Sequence, residues 1–283
     1  LGGKWSDICA EELDKYGKIL EVPHQTEFYR SKIKDAGARV FVIISDAMRY
    51  EVAATLSEQL RRETQSKVEL SSMQSIFPSI TKFGMAALLP HTQLTTEIKS
   101  TAKTERLAVL ADGLSTESNN REKVLKTANP DSVCLQYKNI IGMKRPERQA
   151  LVKGMDIVYI YHNTIDEASH HSDTAVFPAC EKTISELKNM VRIIVNEFSG
   201  SRIIMTSDHG FLYTYSPLSE DDKVSAASFD DKDIEYGRRY AIMEKGANPE
   251  HLIPVKLLDG NSDFQGFAPR ESIRIKMSGG GLN

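Results

Sequence analysis

The stretch Arg202-Ile203-Ile204-Met205-Thr206-Ser207-Asp208-His209-Gly210-Phe211 runs from apolar and β-branched residues into an acid, a histidine and a glycine. That pattern is a buried strand delivering polar side chains at its carboxyl end, where open α/β sheets hold their ligands. On an extended backbone the neighbours Asp208 and His209 would point to opposite faces. Either the chain turns there, or the two residues serve different partners. Two metal ions a few ångströms apart, each taking one of them, would use both. In isolation, a strand-terminal Asp closing a loop beside a surface His would read the same way.

Two further stretches repeat the design. Val40-Phe41-Val42-Ile43-Ile44-Ser45-Asp46 is again an apolar run ending in Ser-Asp, and Asp156-Ile157-Val158-Tyr159-Ile160-Tyr161 leads into His162, Asn163 and Asp166, with His170 four positions on. A hydroxyl joins them in Phe77-Pro78-Ser79-Ile80-Thr81, where Pro78 disfavours helix at Phe77 and Ser79 or Thr81 stands ready to cap the helix that ends before Pro90. Such a position also suits a phosphate, although a plain cap is the simpler use. As a set, Asp46, Thr81, Asp166, His170, Asp208 and His209 are the parts for two-metal phosphoryl chemistry. One ion would lower the pKa of the Thr81 hydroxyl and hold it as nucleophile, and the other would polarise the phosphorus-bound oxygens. Mixed Asp and His ligation suits zinc, or zinc with manganese, whereas magnesium alone prefers oxygen.

The elements that must position these residues follow from periodicity. Residues 1–36 read as a helical lead-in packed on the sheet, with Ile8, Leu13, Tyr16, Ile19 and Leu20 at helical spacing and a break at Val22-Pro23 before a second, polar helix. A strand over 39–45 is followed by an amphipathic helix over 49–62 carrying Val52, Ala53, Leu56 and Leu60 on one face. Lys67–Ser71 reads as another strand. Residues 91–154 are polar and weakly periodic apart from a strand-like 132–137, and read as a surface insertion whose Lys144, Arg145 and Arg148 form a solvated face or touch an anion. The segment from His162 to Asp173 reads as loop. A helix over 177–198, striped with Ile184, Leu187, Val191, Ile194 and Val195, returns the chain to the strand before Asp208 in a parallel crossover. Short strands over 239–243, 252–257 and 272–277 read as edge additions. The fold class is α/β, a mostly parallel sheet with helices on both faces.

Composition narrows the function classes. The chain has 283 residues, 40% of them hydrophobic, which is enough for a substantial core. A net charge of -3 argues against coating nucleic acid by bulk electrostatics, but leaves room for a local basic groove. Cys9, Cys134 and Cys180 are odd in number and lack a Cys-x-x-Cys pair, which points to neither a disulfide framework nor a thiolate zinc site and fits a reducing cytoplasm. No run of about 18 apolar residues suggests a membrane span. The start at Leu1 and the Ser278–Asn283 ending suggest a piece of something longer.

With those residues in place, Phe41–Glu51 (FVIISDAMRYE), Phe77–Pro90 (FPSITKFGMAALLP), Tyr159–Asp166 (YIYHNTID) and Thr206–Tyr213 (TSDHGFLY) together resemble the motifs of the PglZ domain. This is the alkaline-phosphatase-superfamily component of BREX bacteriophage-defence systems, and the resemblance is closest to the BREX-1 type. The resemblance implies an alkaline-phosphatase-like core, with Asp46, Thr81, Asp208 and His209 forming one metal site and Asp166 and His170 contributing to the other. It also implies Thr81 as nucleophile and Arg49 near the phosphate. The family's late histidine, in a His-Gly-Gly motif, has no counterpart before Asn283 and is expected beyond it. His251 is a weak substitute, His171 rivals His170, and His162 reads as a core or outer-shell histidine. The Cys-x-Pro-x-Arg context of sulfatases is missing.

The expected function is a metal-dependent phosphohydrolase, a phosphodiesterase or phosphatase with nucleic acid among its candidate substrates, working with other BREX proteins away from membranes. The alternative from another class is a non-catalytic metal-binding scaffold within a defence complex. A phosphoglycerate-mutase-like enzyme would share the nucleophile and metals but act on sugar phosphates.

Overall fold

The coordinates, a computed structural model, describe residues 2–100, 105–170, 175–213, 223–225, 233–257, 263–270 and 273–276. Strand β1 (Val40–Ser45) has every residue buried and pairs in parallel with β6 (Ile157–His162) on one side and β7 (Arg202–Thr206) on the other. Strand β5 (Ser132–Gln136) completes a parallel sheet of order β5-β6-β1-β7. Burial on both faces explains why β1 and β6 read as continuous apolar runs rather than alternating ones. One face sends Val40, Val42, Ile44, Ile157, Tyr159 and Tyr161 into a first core, and the other sends Phe41, Ile43, Val158 and Ile160 into a second.

Helices cover both faces. The second core is closed by α2 (Tyr50–Glu63), through Val52, Leu56 and Leu60, and by α8 (Val176–Asn196), through Leu187, Met190, Ile193 and Ile194. Its apolar stripe is rotated from the sequence expectation, so that Met190 and Ile193 are buried while Val195 stays exposed. The first core is closed by α3 (Thr81–Ala87) and α4 (Arg121–Ala128), with an antiparallel sheet of β2 (Leu94–Ser100), β3 (Glu105–Ala111) and β4 (Leu114–Ser115).

Several expectations are corrected. Residues 91–154 are more than a surface addition: besides β5, they contribute Leu107, Val109 and Leu125 to the first core and, through α5 (Tyr137–Gly142) and α6 (Arg145–Val152), Ile140 and Val152 to the second. Arg145 and Arg148 bond to the end of α8, at the Asn196 carbonyl and the Glu197 carboxylate, rather than facing an anion. Residues 67–71 form no ladder among the described residues. The segment after β6 is not loop but α7 (Thr164–Ser169). The lead-in helix α1 (Gly2–Tyr16) packs on β11 (Leu252–Val255) rather than on the central sheet, and the Lys256 amide donates to the Leu13 carbonyl. The expected polar helix before Lys34 is a 3-10 turn at Gln25–Glu27 and a π-helical turn at Tyr29–Ile33, in which Tyr29 and Ile33 are core residues. The late strands are not edge additions to the parallel sheet. Strands β9 (Asp233–Gly237), β10 (Tyr240–Glu244), β11 and β12 (Phe264–Pro269) form their own antiparallel sheet, and β13 (Arg274–Lys276) pairs with β8 (Lys223–Ser225).

Because the central strands are parallel, their carboxyl ends meet at one edge. Helix α3 is held there by a glycine: a Cβ at Gly84 would lie 2.2 Å from the Asp208 carbonyl oxygen. Alanine at this helical position would ordinarily gain up to about 1 kcal/mol in helix propensity, but overpacking against fixed backbone costs about 1–3 kcal/mol, occasionally more. Gly84→Ala is therefore expected to destabilise the fold by about 2 kcal/mol net, read as a lower denaturation midpoint with unchanged slope. An unchanged or higher midpoint would contradict the close approach.

Candidate metal centre

Asp46 and Asp208 arrive by different routes at the same point. Asp46 follows β1, and Ala47, next in the chain, takes φ +60°. A β-substituted residue rarely adopts that left-handed conformation, which turns the chain sharply toward α2. The Ala47 amide donates to Asp208 Oδ1 at 3.3 Å, tying the two turns together. After β7 the chain leaves the extended conformation at Ser207, whose hydroxyl donates to the Ser45 carbonyl at 2.8 Å. Asp208 and His209 therefore do not diverge; with Asp46 they form one cluster whose ligand atoms lie within 4.8 Å of one another, all three residues being buried. Asp208 and His209 thus present their ligand atoms toward one point rather than to opposite faces.

Within the cluster, His209 Nε2 lies 3.3 Å from Asp46 Oδ1, 3.5 Å from Asp208 Oδ2 and 3.0 Å from Thr81 Oγ1. Thr81 does not cap its helix, and neither does Ser79. The N-cap position is Ile80, with no side-chain cap, which leaves the Thr81 hydroxyl directed at the cluster. Asp46 Oδ1 and Asp208 Oδ2 are buried, and among the described residues neither meets a well-formed hydrogen bond; the nearest donor to both is His209 Nε2, at 3.3 and 3.5 Å. Burial, together with the charge of Asp46, pushes the Asp208 carboxyl up to about 7. Burial alone would lower the His209 imidazole, but its bond to Asp46 and the charge of Asp208 outweigh this and raise it to about 9. Two buried carboxylate oxygens that share a single imidazole as their nearest donor are an arrangement that a divalent cation would satisfy and that protons satisfy only in part.

The other expected residues lie around this cluster. Asp166, on α7, is half-buried; burial and then the charge of Asp46 raise its pKa. It pairs with the exposed His170 at 3.3 Å, so these two lie outside the three-residue cluster and are bound to each other. Arg49 lies over the Phe211 ring at 5.0 Å and pairs with Glu51, and it lines the same cleft as Thr81, His170 and His209. His162 is a buried structural histidine that bonds to Ser45 and Glu186. His251 is exposed beside Glu250 and joins no cluster. His171 lies outside the described residues.

Sequence reasoning missed Gln25. Its side-chain amide donates to the Ser207 and Asp208 carbonyls at 3.0 and 2.7 Å and accepts from the Ile76 amide at 3.1 Å. It thus clamps the turn carrying Asp208 to the segment leading to Thr81. A lone glutamine in a polar lead-in gives no signal of such a role.

The amino-acid sequence is similar to those of known proteins over most of its length. The family model described as the BREX system PglZ alkaline phosphatase-like domain matches residues 28–283. The chain belongs to the PglZ family. Among the relatives of this PglZ-family chain, the alkaline phosphatase-like protein PglZ of Bacillus cereus (strain H3081.97) is 35% identical over 292 aligned residues, covering 100% of this chain and 33% of the relative. The alkaline phosphatase-like protein BrxZ of Escherichia coli O9:H4 (strain HS) is also 35% identical, over 99% of this chain and 33% of its own length. The chain thus spans about a third of the length of these curated relatives.

Proposed function

We propose that this PglZ-family chain carries the catalytic centre of a metal-dependent phosphoric ester hydrolase in BREX antiphage defence. Thr81 is the nucleophile in this reading. Asp46, Asp208 and His209 hold the first cation; Asp166 and His170 contribute to a second, with zinc at one or both. The substrate is a phosphodiester, nucleic acid included, and the protein works in the cytoplasm beside other BREX components.

The observation that carries this reading is the Thr81 hydroxyl 3.0 Å from His209 Nε2, at the mouth of a buried carboxylate pair. A nucleophilic alcohol needs its proton removed and its oxygen held, and a bound divalent cation supplies both by Lewis acidity. The chain itself does the rest. The α3 backbone and the 207–209 turn fix the Thr81 oxygen, and Arg49 presents a guanidinium at the cleft wall, where it can pair with phosphoryl oxygens. Phe211 beneath Arg49 and the Glu51 carboxylate beside it limit its orientations. Metal-dependent hydrolysis of a bis-aryl phosphodiester by the full-length protein, lost on chelation and restored by zinc, is the expected result; no hydrolysis of mono- or diesters after zinc loading would contradict it.

The non-catalytic scaffold is the second reading. The mutual pairing of Asp166 and His170 favours it, because that pairing leaves one three-residue cluster among the described residues ready for an ion. It predicts zinc binding without turnover.

Protons and metal compete at this site. In the folded chain Asp208 and His209 both titrate above the ordinary values of 3.8 and 6.5 for these groups. Each therefore stabilises the metal-free fold at low pH and ceases to as pH rises, Asp208 up to about 7 and His209 up to about 9. Zinc affinity should run the opposite way, rising about tenfold per pH unit between pH 7 and 9 as a single proton is displaced, and more steeply below pH 7. Titration against a chromophoric chelator measures this, and a flat profile would contradict it.

A further inference from the structure

Gln25 opens the 3-10 turn Gln25–Glu27 and is 1% exposed. A primary amide at that depth needs partners, because each buried donor or acceptor left unmatched costs free energy. Two parts of the site supply them. Gln25 Nε2 donates to the Asp208 carbonyl at 2.7 Å and to the Ser207 carbonyl at 3.0 Å, and Oε1 accepts from the Ile76 amide upstream of Thr81. The turn that carries Gln25 is anchored to the same upstream segment. Its own backbone amide donates to the Gln74 carbonyl at 2.9 Å, the Gln74 amide donates to the Pro23 carbonyl at 2.7 Å, and the Gln74 side chain accepts from the Ile19 amide at 2.9 Å. Residues 23–25 and 74–76 thus form one piece.

The Asp208 carbonyl oxygen that takes the Gln25 bond also lies against α3, 2.2 Å from where a Cβ at Gly84 would stand. These contacts close a loop: from α3 to the Asp208 peptide, through the Gln25 amide to Ile76, and along the chain back to Thr81 at the start of α3. A closed loop of this kind fixes a distance. Opened at Gln25, it leaves the Thr81 oxygen and the ligand cluster joined by packing at Gly84 and by the His209 contact. The side chain is matched to the task, since an ionised glutamate lacks donors, lysine lacks an acceptor and asparagine is one methylene shorter.

We propose that Gln25 is a positioning residue for the hydrolysis, setting the distance between the Thr81 oxygen and the cluster of Asp46, Asp208 and His209. This inference rests on the reading of Thr81 as nucleophile. The Gln25 bonds go to the main chain of Asp208 rather than to its carboxylate, so their loss spares the donor set for the ion and loosens the approach of the alcohol. A misplacement of about 1 Å at a reacting atom lowers the rate on the order of 100-fold.

The test is turnover of a bis-aryl phosphodiester by the zinc-saturated full-length protein and its Gln25→Glu variant, with zinc affinity measured alongside. Glutamate keeps the volume and the acceptor for Ile76 and loses the amide donors. The expected result is a kcat about 100-fold lower, with KM and the zinc dissociation constant within about threefold of wild type. A residue that served the fold alone would lower the denaturation midpoint and leave the kcat of folded, zinc-saturated protein unchanged, and that outcome would overturn the proposal. So would a zinc affinity that falls in step with kcat. Gln25→Asn, which keeps the amide but is too short to hold all three partners, is measured in the same way should Gln25→Glu not fold. A protein that folds with neither substitution assigns Gln25 to the fold and also overturns the proposal. Wild type without turnover after zinc loading sinks the hydrolase reading and this inference with it, whereas an active wild type beside an unimpaired variant sinks this inference alone.

Discussion

Thr81→Ala is expected to lower phosphodiester hydrolysis by at least about 10³-fold, because removing a covalent nucleophile leaves only positioning and electrostatics to act. The hydroxyl stands at the first turn of α3, where it contacts His209 Nε2. Losing it leaves the imidazole still engaged by Asp46 at 3.3 Å, so fold and zinc binding should change little. That separation is the diagnostic feature: turnover disappears while the denaturation midpoint and zinc stoichiometry stay near wild type. Thr81→Ser, which keeps the oxygen, should recover part of the activity. Equal turnover in wild type and Thr81→Ala would show that the alcohol takes no part.

Asp208→Asn should have two large effects of opposite sign. Asp208 is fully buried, and its Oδ2 meets no well-formed hydrogen bond among the described residues. In the metal-free protein above pH 7 its charge is a burden, since with Asp46 it places two carboxylates against one imidazolium. The amide keeps an oxygen for the Ala47 amide and leaves Asp46 and His209 as a neutral pair. The metal-free fold should gain on the order of 1 kcal/mol or more near pH 8. At pH 4 the gain should vanish, because Asp208 is then protonated in the wild type. Zinc affinity should fall further than the roughly 10–100-fold typical of losing an outer-shell partner. Denaturation of metal-free protein at both pH values, with zinc titration alongside, checks the pair of signs. A destabilised metal-free variant that still binds zinc normally would reverse the assignment.

Much of this was legible in the sequence. The runs Val40–Ser45 and Ile157–His162 announce themselves because both faces are buried, and the Ser-Asp endings mark where the strands stop. Other elements were set by tertiary contacts that local pattern does not carry. Residues 67–71 have strand composition but pair with no strand among the described residues, and the polar stretch around 105–125 hides the core residues Leu107, Val109 and Leu125. The site divides in the same way. Acids and histidines at strand ends are visible as residue types, so Asp46, Asp208 and His209 could be named. The close approach that makes Gly84 necessary, the left-handed turn at Ala47 and the clamp from Gln25 exist only in three dimensions. Asp166 and His170 lie four residues apart on the turn of α7, a spacing that equally permits a shared ion or the direct pair observed.

Anomalous diffraction from zinc-soaked crystals of the full-length protein tests the central claim most directly. The account predicts a peak bonded by Asp46, Asp208 and His209 at about 2.0–2.2 Å, with the Thr81 oxygen facing it. Crystals that take up zinc elsewhere while His209 stays locked to its two carboxylates would contradict it.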